Sequence, residues 1–504
     1  MLQRIKTYIT VSTSVLLLMT AGCKKGTFDI NSPNPNTPSS VTPQFQLSSA
    51  LVGSATSMYS GGFSEFANLF MGYWAFSGDY GGYGTTATYN LTNNQYTSNW
   101  DFVYSNCLVN YQSIINNSRT ANEANYFGIA QIMEAFHYQR LVDMYNNVPF
   151  TDALKGGTLN YPKYDNGSAI YPALLKKIDS GIAAINGASS AADNPGKYDV
   201  MFGGTMSNWV LFANTLKLKI LLNLTQYSGG ASLIQSELNG LTVSSFLGAG
   251  QDAAVNPGYA NTTQSQQNPF YGFVGFTTNG SNYGNHDFYR ANAYAVNFYN
   301  NHNDPRAGRF YAPNASGVIH GRVFGSQDGS EHNTVISSIG PGVLASASEN
   351  AYLIPAFESL FLQAEAIQRG YLSIGSYGTM DALYQKAVSE SFRVLGIASP
   401  AAAAATYDQQ SDPKTNLSLA SDPLTFLITQ EWAALNMYDA VTAWNNWKRL
   451  RIPADLPVSI YPGTTAAHIP VRLLYPSSES TTNSANVTAQ GTVDIINGKI
   501  FWMP

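Results

Sequence analysis

The chain has 504 residues, with 26 Lys and Arg against 31 Asp and Glu and a formal net charge of −5. Such a balance excludes the usual nucleic-acid binder, whose phosphate contacts need concentrated positive charge. Only 11% of residues are charged, against about 25% in a typical soluble protein, and polarity comes instead from Asn, Ser, Thr, Gly and 32 tyrosines.

The first elements concern export. Met1–Thr10 holds Arg4 and Lys6 and no acid, Val11–Met19 is uncharged and mostly apolar, and Thr20-Ala21-Gly22 are small. A basic start, a short apolar run and small residues form a secretory signal. The apolar run falls short of the roughly 20 residues that span a bilayer. Cys23 directly after the small residues predicts a bacterial lipoprotein, with residues 1–22 removed and the Cys23 thiol lipidated. The alternative is an ordinary cleaved signal followed by a coincidental cysteine. Residues 23–48 read as a flexible tether, because Asn31-Ser-Pro-Asn-Pro-Asn-Thr-Pro38 has too many prolines and too few apolar groups for helix or sheet. With Cys23 lipidated, Cys107 has no partner. Its neighbours Phe102, Val103, Leu108 and Val109 predict a buried, inert thiol.

From Leu47 onward apolar residues recur at helical spacing. Gly61–Trp100 breaks that pattern with Gly, Tyr, Asn and Thr, and a structureless stretch of such length usually serves function. Thr120–Tyr145 is a predicted helix opened by a Thr120/Glu123 capping box. Asn208–Tyr227 is a second, with Trp209, Phe212, Leu216, Ile220 and Leu224 on one face and Lys217 and Lys219 pointing elsewhere. About 228–345 reads as a loop-rich insertion with short strands and one helix near Ala291–Asn301. Ala356–Arg369, stopped by Gly370, and Thr379–Leu395, stopped by Gly396, form a predicted helical hairpin, with Ala364, Ala366, Ala382 and Ala387 allowing close approach. Leu424–Leu450 reads as one more helix with Trp432, Trp444 and Trp447 in the core. The last fifty residues read as irregular.

Two aromatic clusters carry the binding expectation. A sugar's C–H face stacks on rings while its hydroxyls need amide and carboxylate partners. The first cluster joins Tyr73, Trp74, Tyr80, Tyr83 and Trp100 to Asp79 and nearby asparagines. The second joins Phe270, Tyr271, Phe273, Phe276 and Tyr283 to Gln266, Gln267 and Asn282. The ligand candidates are Trp74, Asp79, Tyr80, Tyr83, Trp100, Tyr271, Phe273 and Tyr283, with core packing the alternative for each. No catalytic or metal-binding residue and no cofactor is predicted. The six histidines form no His-x₃-His or Glu-x-x-His pattern, and no nucleophile elbow, phosphate loop or dinucleotide Gly triplet occurs. Glu65, Asp79 and Asp101 near the first cluster leave open a glycosidase-like carboxylate pair, whose geometry sequence does not show.

Tyr126–Phe150, ending Leu141-Val-Asp-Met-Tyr-Asn-Asn-Val-Pro-Phe150, resembles the early helix and turn of SusD/RagB-like outer-membrane lipoproteins. Asp152-Ala-Leu-Lys155, Pro162-Lys-Tyr-Asp165 and Ile170-Tyr-Pro-Ala-Leu-Leu175 continue the pattern. So do Trp209 with Phe212–Lys219, Asp304-Pro-Arg306, Glu358 with Ala364-Glu-Ala366, Glu431-Trp432, Trp447-Lys-Arg449 and Ile469-Pro-Val-Arg472. The resemblance covers nearly the whole chain beyond the signal, in order, and is nearest to the SusD-like subgroup. It implies a mainly α fold of tetratricopeptide-like helical pairs (an α-α superhelix) over 49–504, with long irregular loops and a few short strands. It also implies a non-enzymatic nutrient-binding lipoprotein, lipid-anchored and outward-facing at the cell outer membrane. The implied partners are a glycan or peptide ligand and a SusC-like TonB-dependent β-barrel transporter. A protein-only scaffold or lid for the barrel, and a glycoside-acting enzyme, are the competing readings.

Overall fold

A computed structural model describes residues 42–59, 64–118 and 120–504. The signal, Cys23 and most of the tether lie outside the described residues. Helices of eight or more residues are numbered here. They are α1 (Pro43–Tyr59), α2 (Val109–Asn117), α3 (Ala124–Tyr145), α4 (Gly167–Asn186), α5 (Met206–Asn223) and α6 (Gly230–Glu237). There follow α7 (Ala293–Asn301), α8 (Ala356–Gln368), α9 (Met380–Val394), α10 (Pro400–Asp408), α11 (Pro423–Leu435) and α12 (Ala440–Leu450). Four short strands, β1 (Trp74–Phe76), β2 (Ala253–Val255), β3 (Tyr289–Ala291) and β4 (Ala351–Ile354), pair as β1–β3 and β2–β4, both antiparallel. The fold is mainly α, as expected. Among the described residues no helix is long and apolar enough to cross a membrane.

Antiparallel neighbours α3–α4, α8–α9 and α11–α12 make the tetratricopeptide-like pairs, and α3 also packs on α1, α2 and α5. The Thr120/Glu123 box forms as expected, through a short 3₁₀ turn that leads into α3. α3 is buried on almost every side and carries Glu134, His137, Gln139, Arg140 and Asp143 into the interior along with its apolar residues. Gly128 of α3 lies against the Gly181 carbonyl of α4, and Gly181 lies against the Gly128 carbonyl, so a Cβ at either position would push the hairpin apart. Thr379 caps α9 by accepting from the Ala382 amide at 3.1 Å, and Gly370 and Gly396 follow α8 and α9 with φ of +77° and +69°.

Several expectations need correction. α1 begins at Pro43, inside the stretch read as tether, and Leu47 is already core. Leu424–Leu450 is two helices, because Met437 turns to φ +63° and the Asp439 side chain caps α12. α6 stands where loops were expected, and Ser477–Thr482 and Ser484–Thr488 are short helices near the irregular C-terminus. Ala382 is exposed, while Ala364, Ala366 and Ala387 are buried between helices. Lys217 and Lys219 do not point to solvent. Both are buried, and Lys219 of α5 donates to Glu358 of α8 at 2.7 Å and to Asp439 at 3.0 Å. Arg140 of α3 reaches Asp439 from the other side at 3.2 Å. Burial opposes ionisation of Asp439, but Lys219 and Arg140 outweigh it and hold the carboxyl well below its usual range.

Cys107 is buried and free, its thiol pushed up to about 12 by burial, partly offset by a hydrogen bond with Ser57. His137 packs in the core and its Nε2 lies 2.8 Å from Ser54 Oγ. Trp432, Trp444 and Trp447 are core residues, as expected.

Candidate ligand-binding site

The two aromatic clusters, far apart in sequence, meet through the β1–β3 ladder. Its register sets Trp74 opposite Ala291, Ala75 opposite Arg290 and Phe76 opposite Tyr289. Just beyond the ladder the Ser77 amide donates to the Phe288 carbonyl at 2.8 Å. This delivers the Ser77–Tyr83 turn next to Asp287 and Phe288. Tyr80, 44% exposed, stands edge-on to the half-buried Phe288 ring at 5.9 Å. Behind it Phe76 stacks on Tyr83 at 4.5 Å. The result is an aromatic ledge with one ring presented to solvent.

A third segment, absent from the sequence expectation, completes the rim. His332 Nδ1 lies 2.5 Å from Asp79 Oδ1, and the Asn333 amide donates to Asp79 Oδ2 at 2.8 Å. The Asn333 side chain accepts from Ser77 Oγ at 2.7 Å and donates to the Asp287 carbonyl at 3.0 Å. Gly78 makes this possible, since a Cβ there would collide with the Glu331 carbonyl. Arg322 then clamps the rim: its guanidinium donates to Glu331 at 2.8 Å, to the Phe76 carbonyl at 2.8 Å and to the Ser326 carbonyl at 2.6 Å. Asn282 donates to Asp287 at 2.8 Å on the opposite side, and Arg290 pairs with Asp287 at 3.3 Å.

The Asn333 amide, and then His332, hold the Asp79 carboxyl below its usual range. Asp79 is therefore an acceptor and an anion. A glycosidic general acid needs the opposite, a carboxyl whose pKa is raised. Rings with a free edge, a fixed carboxylate, an imidazole and amides suit non-covalent recognition of a hydroxyl-rich ligand. Among the described residues no group of three or more His, Cys, Asp or Glu is placed to hold a metal ion.

The other candidates fall elsewhere. Trp74 is completely buried, stacked on Tyr289 at 4.8 Å, and supports the ledge from beneath instead of lining it. Tyr83 is buried too, with its hydroxyl 3.4 Å from the Arg322 guanidinium. Trp100, 3% exposed, belongs to a separate nest with Tyr104, Tyr145, Tyr164 and Tyr475, where its indole forms one wall of a cleft of ≈ 400 Å³ beside Asp101. These three rings were expected on open loops; the surrounding aromatics cover them. Phe273, half-buried, contacts Tyr289 at 6.1 Å and so borders the ledge. Tyr271 lies against Phe276, and the Tyr283 hydroxyl donates to Gln267 at 2.9 Å, so both shape the adjoining loop. His332, Asn333 and Phe288 carry no local sequence signal. Only the pairing of distant segments reveals them.

The structure thus combines a helical-pair scaffold with a clamped aromatic and amide surface. The chain belongs to the SusD-like family: the family model described as "Starch-binding associating with outer membrane" matches residues 35–476. Among solved structures, a chitin-binding protein is 22% identical over 92% of this chain and 100% of its own, with a TM-score of 0.72. A chitin-binding SusD homolog from Flavobacterium johnsoniae is 20% identical, with 91% of this chain and 97% of that chain covered and a TM-score of 0.72. A SusD homolog from Bacteroides fragilis is 19% identical, with 92% and 99% covered and a TM-score of 0.73. These likenesses show a shared fold. No curated protein matches the chain.

Proposed function

We propose that this protein binds oligosaccharide on the Tyr80–Phe288 ledge and passes it to a SusC-like TonB-dependent barrel, while a lipid on Cys23 holds it on the outer face of the outer membrane. The observation that carries the reading is the solvent-facing Tyr80 ring beside a rim of clamped acceptors and amides, Asp79, His332, Asn333 and Asn282. Family membership supports the glycan class, as does chitin binding in two solved proteins of the same fold. The Pro- and Asn-rich stretch 31–38 supplies reach between lipid and body.

A glycan array followed by calorimetry with malto- and chito-oligosaccharides tests the reading. One series should bind, Tyr80→Ala should weaken it by about tenfold or more through lost ring contact, and the sugar should be recovered uncut. Binding by Tyr80→Ala with both affinity and stoichiometry unchanged would refute the assignment. Cys23→Ala should move the protein from the detergent phase to the aqueous phase. Unchanged partition would sink the lipid anchor.

A further inference from the structure

We propose that the cleft between α7 and α11 is a second carbohydrate-binding site, independent of the Tyr80 ledge. The proposal rests on the glycan reading above but uses none of the same residues. Tyr294, Asn297, Phe298 and Asn301 follow the i, i+3, i+4, i+7 spacing that puts them on one face of α7. They face Thr425, Thr429 and Trp432, spaced i, i+4, i+7 along α11, across a cleft of ≈ 390 Å³. That volume falls within the range of about 300–1,000 Å³ typical of small-molecule sites.

The lining divides into an apolar floor and a polar wall. Tyr294 and Phe298 are half-buried, each held edge-on against Trp432 at 5.3 Å. Trp432 is itself fixed by stacking on Tyr73 at 5.4 Å and by its Nε1–H donating to the Met71 carbonyl at 3.0 Å. The floor is rigid before any ligand arrives. Asn297 and Asn301 are exposed, and among the described residues no hydrogen bond occupies either side-chain amide. They stand about 6 Å apart along the helix axis. Each amide offers two donors and an acceptor, the set a pair of sugar hydroxyls requires. The acids and the imidazole at the rim are already engaged: Asp455 accepts from the Tyr294 hydroxyl at 2.7 Å, and Asp412 lies 2.5 Å from His302 Nδ1. The inner wall is uncharged, with Lys414 exposed at the edge. A neutral oligosaccharide fits this chemistry.

The cleft is separate from the ledge. Tyr73, just before β1, stacks on Trp432, while Trp74, the first residue of β1, stacks on Tyr289 beneath the ledge. Two sites on one body let a long polymer engage both, which raises avidity without any new contact.

The test is calorimetric titration of the full chain with chitohexaose and maltoheptaose, using Tyr80→Ala, Asn297→Ala/Asn301→Ala and the combination of all three. Both asparagines are exposed, so these variants should fold. The wild type should take up two equivalents of one sugar, Tyr80→Ala should retain one, and adding the asparagine pair should weaken that remaining site about tenfold or more, as two lost hydrogen bonds require. If Tyr80→Ala abolishes all binding, or the asparagine pair changes nothing, the second site is overturned and the ledge stands. If only the asparagine pair loses binding, the cleft stands and the ledge falls. Silence of the wild type toward both sugars overturns this site together with the glycan reading.

Discussion

The interior between α3, α5, α8 and α12 and the Asp79–His332 contact at the rim of the Tyr80 ledge both place a carboxylate beside a basic side chain, with opposite consequences. In the interior the pairs are dry: Lys219 sits between Glu358 and Asp439, and Arg449 engages Glu365, all of them buried. At the rim the His332 side chain is 58% exposed and that of Asp79 35%. Desolvation makes the first set indispensable to the fold, because losing one member strands its partner in a low dielectric. Solvent screening makes the second set cheap to alter, so it fixes the orientation of a surface without supporting the body. The same chemistry thus builds a buried scaffold in one place and orders an exposed loop surface in the other.

The sharpest way to break this contrast is Glu365→Ala, which leaves Arg449 and Arg369 without their shared carboxylate. Chemical denaturation should show a loss of about 3–5 kcal/mol, and a change below about 1 kcal/mol would mean that solvent reaches the interior pairs. Trp100→Ala comes next. Its indole is packed by four tyrosines, so the core cost of about 3 kcal/mol or more should appear in the same measurement. A stable variant would return Trp100 to the display side.

Acid should act on the scaffold through His137. Burial, assisted by Arg140, pushes its pKa down to about 3, from an unfolded value of 6.5. The unfolded chain therefore binds the extra proton between those values. This contribution to stability is complete above pH 6.5 and falls as pH drops toward 3, by about 1 kcal/mol at pH 5.5. His137→Gln should remove that part of the slope. An unchanged profile would locate acid sensitivity elsewhere. The smallest stability effect is expected for Tyr80→Ala, within about 0.5 kcal/mol, while its ligand affinity falls. A large destabilisation would erase the distinction between the two regions.

The legibility of the sequence follows the same division. The Thr120 capping box, the helix stops at Gly370 and Gly396, and the stripe from Trp209 to Leu224 were readable because helix signals are local and repeat every three to four residues. The break between α11 and α12 was not, since apolar residues continue across it and the left-handed turn at Met437, ahead of the Asp439 cap, falls on a residue type that rarely makes one. The candidate site was half legible. Composition selected Tyr80 and Asp79, which the fold leaves at the surface, but the same rule selected Trp74 and Trp100, which it buries, because an aromatic in Gly- and Asn-rich sequence looks alike whether its faces are covered or free.

By itself, then, the sequence determined the α8–α9 hairpin, the helical character of the body, the family and the burial of Cys107, all of which rest on neighbours in the chain. Only tertiary structure decided which rings reach solvent, that His332 and Asn333 join Asp79, and that Lys219 is buried. Three-residue strands such as β1 and β3 carry no periodicity. Their pairing, and every contact that hangs on it, is chosen by the whole folded body.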